Sequence, residues 1–207
     1  MALATTFSHA PFLSHMFQAV IGVSGALSLA VALYLLYMYA HRKEVADVFV
    51  AVGLVVYFVL AVLLAVEGLK ALESPLAAPL GALVPLLISL GVFKLVFPRL
   101  WRYYAVFVVI GIVAIAAVRA AVPVIHSVAG LVIFLFPIYA VAKKLAPAHF
   151  IGVSLGGLTI GIGGVALASA VMARPILPLE LVVALLPWIL LLMVIFFAYG
   201  FALGRRK

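Results

Sequence analysis

The chain has 207 residues, 70% of them hydrophobic and only 9% charged, with a mean hydropathy of +1.46. Soluble domains run near half apolar and about a quarter charged, so this composition excludes an ordinary globular domain, a disordered segment and a nucleic-acid-binding module. In so apolar a chain the formal charge of +8 is a topology signal, and the chain reads as a polytopic membrane protein whose first partner is the lipid bilayer.

Crossing the hydrocarbon core takes about 20 apolar residues per helix, and reading from breaker to breaker gives seven such spans. Met1–Pro11 lacks the basic start of a secretory signal, so none is expected there. The first span covers about Phe12–Ala40 and stops at His41-Arg42-Lys43-Glu44. The second, about Val45–Leu69, is closed by Lys70, Glu73 and Ser74-Pro75. The third runs over about Leu76–Phe97 to Pro98, and the fourth over about Leu100–Val122. Pro123 then occupies the first turn of the fifth, where a missing N–H costs nothing. That span ends at Lys143-Lys144; the sixth covers about Ala148–Met172 and the seventh about Leu179–Leu203. The expected fold is an all-α, seven-helix transmembrane bundle forming a single domain over residues 1–207.

Charge orients it. If the N-terminus lies outside, one face carries Arg42, Lys43, Lys94, Arg99, Arg102, Lys143, Lys144, Arg205, Arg206 and Lys207, against Lys70, Arg119 and Arg174 on the other. The positive-inside rule then puts the C-terminus in the cytoplasm of a multi-pass cell-membrane protein. Tyr34, Tyr37, Tyr39, Trp101, Tyr103 and Tyr104 form an aromatic belt at the same inner boundary. Recurrence at an offset of about one hundred residues points to a parallel 3+1+3 repeat: Arg42-Lys43 with Lys143-Lys144, and Pro75 and Pro85 with Pro175 and Pro187. Short loops and prolines recur in bundles without any repeat, so both readings stand.

Chemistry is sparse. The chain has no Cys or Asn, one Gln and one Asp, a depletion that fits a thermophilic source. Without thiolates there is no Cys-ligated metal, and no catalytic triad is assembled. Neither a mid-membrane acid nor an arginine series marks a proton or voltage path, and the seventh span has no lysine for a retinal Schiff base. The candidate site is an outer-side cluster: Glu67, Arg119, His126 and Glu180, at similar estimated depth. Glu67 and Lys70, three apart, would pair along one helical face. Such a cluster either binds a solute, quinone or haem propionate, or is a ring of interfacial helix-end charges.

His126 and His15 are the candidate ligands for a haem b, a bis-histidine site needing two imidazoles at one height. Measured from the inner cations, His15 lies about 40 Å up its helix and His126 about 25 Å up its own; Met172 is an alternative second ligand. The sixth span is rich in glycine (Gly152, Gly156, Gly157, Gly161, Gly163, Gly164), which lets backbones approach closely, either at the bundle centre or in a homo-oligomer or partner-subunit interface. The leading functional expectation is a non-catalytic membrane subunit of a larger, respiratory-type assembly, contacting haem or quinone through the outer cluster. The rival is a small-solute transporter or channel built on the 3+1+3 repeat.

Overall fold

The computed structural model describes residues 11–74, 76–118, 121–171 and 178–203. The fold is all-helical, at 91% helix, with no strand among the described residues. In order come α1 (Pro11–Arg42), α2 (Val45–Glu67), α3 (Ala77–Val96), α4 (Trp101–Ala117), α5 (Ala121–Ala142), α6 (Ile151–Val171) and α7 (Leu179–Ala198). Short 3-10 turns occupy Gly68–Glu73 and Ala148–Phe150, and a π-turn, Tyr199–Leu203, extends α7. Among the described residues five helices are long and apolar enough to cross a membrane, and two shorter apolar stretches, Trp101–Ala117 and Ala148–Gly163, accompany them. These are the helices of a multi-pass membrane protein. Apolar side chains surround the helices instead of marking one face: Val106, Val109, Ile110 and Val113 of α4 are exposed, as lipid-facing residues must be.

Local chemistry sets the helix ends. Lys43 takes a left-handed φ of 56° while its N–H still donates to the Tyr39 carbonyl at 2.8 Å, a terminal twist that closes α1. Glu44 then caps α2, its carboxylate accepting the Ala46 N–H. The same device ends α5: Lys143 donates to Tyr139 at 2.9 Å, and Lys144 has a φ of 56°. At the opposite end Gly68, with φ 62° and open space where a Cβ would stand, stops α2 at Glu67. Lys70 consequently lies in the next 3-10 turn, off the helical face that would have paired it with Glu67. Val118 is extended and separates α4 from α5, while Pro123 sits in the first turn of α5. Pro85, Pro137 and Pro187 lie inside α3, α5 and α7.

Each helix packs on its chain neighbours, α3 also meets α5, and α7 returns to α1. Six helices thus close a ring in the order α1, α2, α3, α5, α6, α7, with α4 outside it against α3 and α5. Glycine sets the closest approaches. A Cβ on Gly91 of α3 would collide with Val50 of α2, and one on Gly53 of α2 would stand 3.0 Å from Ile88 of α3. On α6, a Cβ on Gly152 or Gly156 would come within 2.6–2.9 Å of atoms of α7 and its π-turn, and one on Gly157 would stand 2.9 Å from Ile133 of α5. The described glycines of α6 therefore serve contacts inside the chain, apart from Gly161, which faces open space.

This contrast gives a paired test. Gly156→Leu, driven into Phe197 and the Met193 carbonyl, should cost about 1–3 kcal/mol through overpacking. Gly161→Leu should leave the melting temperature in detergent unchanged or raised. Equal melting of the two variants would contradict the packing described.

Candidate functional site

The candidate residues of the cluster come from helices that alternate around the ring. Glu67 is the exposed last residue of α2. His126 is half-buried near the start of α5, beside Ile125, which is buried against Gly111 of α4. Glu180 is in the first turn of α7, with its side chain outside the described part, and Arg119, like Met172, lies outside the described residues. Helix α3 separates α2 from α5, and α6 separates α5 from α7. A site shared by Glu67, His126 and Glu180 would span the mouth of the ring instead of one helix interface. His15 is exposed on α1, and the unbroken 28 residues from His15 to Arg42 keep it about 40 Å along the helix from Arg42. Among the described residues no three His, Asp or Glu side chains gather to hold a metal ion.

The polar groups that the fold brings together are hydroxyls in the interior. Ser24 of α1 and Tyr57 of α2, both buried, share a hydrogen bond of 2.6 Å. Ser28, one turn along, donates to the Gly25 carbonyl at 2.7 Å. Tyr104 of α4 donates to Ser89 of α3 at 3.0 Å, and Ser89 donates to the Leu86 carbonyl at 2.9 Å. Ser154 of α6 donates at 2.6 Å to the Phe134 carbonyl of α5, a bond that joins the two helices. In hydrocarbon an unbonded hydroxyl costs several kcal/mol, and these hydroxyls are all bonded.

Sequence reasoning missed this set. Tyr104 was expected in the interfacial belt, but its neighbour Tyr103 is the exposed one, while Tyr104 turns inward and stacks on Phe93 with centroids 4.5 Å apart. The available signal was Tyr57, a tyrosine in the middle of its span and far from the belt, on a helix next to a run bearing Ser24 and Ser28.

At the basic end, Lys94 of α3 forms a 3.0 Å ion pair with Glu44. Phe49 of α2 meets Trp101 of α4 at 5.7 Å between centroids, and Phe97 meets Phe136 and Tyr139 of α5 at 5.1 and 5.7 Å. No protein-family model matches the chain, and neither a curated protein nor a solved structure is similar to it.

Removing one hydroxyl of a bonded pair should be worse than its size implies. Tyr57→Phe strands Ser24 and should cost about 1 kcal/mol. The double variant Tyr57→Phe with Ser24→Ala should cost less than the sum of the two singles. Strict additivity in a thermal double-mutant cycle would show that the pair carries no coupling.

Proposed function

We propose that the chain is a non-catalytic membrane subunit, N-terminus outside and C-terminus cytoplasmic, that works by packing against partner subunits in a larger, respiratory-type assembly. The observation that carries this reading is the interior. Its described buried hydroxyls are committed to neighbouring helices or to their own helix turns, and mid-membrane carboxylates and cations are lacking from the sequence. Moving a solute or proton through a bilayer takes polar groups that can exchange partners. The sharpest form of the reading has His126 touching a quinone head group or a haem b at the outer end, with Glu67, Arg119 and Glu180 around it. That form requires a Soret band in protein purified with haem supplied, lost in His126→Ala, or a quinone that His126→Ala releases.

A second reading, a small-solute transporter built on a parallel 3+1+3 repeat, has its own support. Within each triad the helices pack in chain order, α1–α2–α3 and α5–α6–α7, and the joints α3–α5 and α7–α1 correspond. The first turn of each triad holds a left-handed lysine, Lys43 and Lys144. The last helix of each has an internal proline, Pro85 and Pro187, and close glycine contacts join the second helix to the third in both. Two parallel triads with an odd linker helix are a known transporter plan.

The chain has no cysteine, so single thiols decide between the readings. On the subunit reading, Ser28→Cys and Ser154→Cys stay unreactive toward a membrane-impermeant maleimide in sealed vesicles, from either side. Labelling of these buried positions from the water would overturn it in favour of a transport path. In the same assay Lys70→Cys should label from outside only and Lys43→Cys from the cytoplasmic side only. The reverse pattern would invert the orientation.

A further inference from the structure

The basic end carries more than an orientation signal, because the fold gathers its cations and withdraws its acids. Three contacts draw successive turns around the end of α3. The Lys94–Glu44 ion pair, 3.0 Å long, ties the α1–α2 turn to α3. The Phe49–Trp101 contact sets the start of α4 against α2. Phe97, against Phe136 and Tyr139, brings in the end of α5. Arg42, Lys43, Arg99, Arg102 and Lys143, all exposed, therefore stand on one rim.

The acids at this level do not balance them. Glu44 is held by Lys94, and Asp47 is fully buried in the first turn of α2. Lys43 is itself set in place: its ammonium lies over the Tyr39 ring, 5.7 Å from the centroid. The arginines are interleaved with apolar anchors, since Leu100 and Tyr103 are 50% and 77% exposed beside Arg99 and Arg102. Side chains that end in cations above, with large apolar neighbours beside them, match a lipid whose phosphate sits above its acyl chains.

From this juxtaposition we infer that the rim formed by the α1–α2, α3–α4 and α5–α6 turns is a binding surface for anionic phospholipid headgroups. The rim takes the phosphate of a lipid, with Arg99 and Arg102 as its principal contacts and Lys43 and Lys143 on its flanks. Guanidinium groups suit this task because they meet phosphate oxygens two at a time. The inference is independent of the proposed function, for a subunit and a transporter would use the rim alike.

Native mass spectrometry of the full chain in a neutral detergent tests it. The delipidated protein is offered an equal mixture of phosphatidylglycerol and phosphatidylcholine. Wild type should retain phosphatidylglycerol in preference by about tenfold or more, each rim cation being worth several-fold in affinity. Arg99→Gln with Arg102→Gln should bring the ratio near parity, Lys43→Gln should lower it partially, and Lys70→Gln, at the opposite end, should leave it unchanged. The exposed positions of these residues make loss of fold an unsuitable explanation, and an unchanged melting temperature checks that. Equal retention of the two lipids by wild type would overturn the inference. So would a preference that survives the rim variants, or one abolished by millimolar inorganic phosphate, which would assign the rim to free anions.

Discussion

Inside a bilayer no water is at hand to satisfy an N–H, a carbonyl or a hydroxyl, and that shortage governs this molecule at every scale. It demands continuous helices, because a helix consumes its own backbone bonds. It makes each internal proline, Pro85, Pro137 and Pro187, a cost, because each withholds one N–H from its helix ladder. The same shortage commits the buried hydroxyls to partners. It leaves charge at the helix ends, where Glu44 and Lys94 meet.

Hydrophobic burial cannot then hold the helices to one another, since lipid tails are as apolar as leucine. Close packing takes over, and glycine is its instrument. Gly53 and Gly91 bring α2 and α3 together, while Gly152, Gly156 and Gly200 do so for α6 and the end of α7. In both places a methyl group would meet atoms already at contact. The ring of six helices is built from these approaches, and α4, bound to α3 by the Tyr104–Ser89 bond and a stacked Phe93, remains outside it.

Composition and breakers made the helical membrane character legible before any coordinates, and the helix ends at Lys43-Glu44 and Lys143-Lys144 fell where charge interrupts the apolar runs. The closing residue of α2 was harder to read. Glycine at position 68 has the backbone freedom to stop the helix, yet a helix interrupted there and a helix continued to Leu69 have almost the same hydropathy. Tyr104 was misjudged for a related reason: tyrosines near a helix end fit both a belt and an inward bond, and only the presence of Ser89 across the interface separates them. The outer cluster was legible as a set of residues at one level. Which of them face each other depends on ring order, which periodicity does not encode, and Glu67, His126 and Glu180 turn out to sit on helices separated by α3 and α6.

The interhelical hydrogen bonds described above have one property in common: each joins helices consecutive in the chain. Ser24 meets Tyr57 across α1 and α2, Lys94 meets Glu44 across α3 and α2, Tyr104 meets Ser89 across α4 and α3, and Ser154 meets Phe134 across α6 and α5. During synthesis, a helix that enters the membrane with a bare hydroxyl has its partner in the very next, or the preceding, segment to leave the ribosome. The contact between α1 and α7, which waits until α7 has been made, has no such bond among the described residues. The nascent chain can thus pause at any hairpin without leaving these hydroxyls stranded in lipid, and the ring is shut last by shape alone.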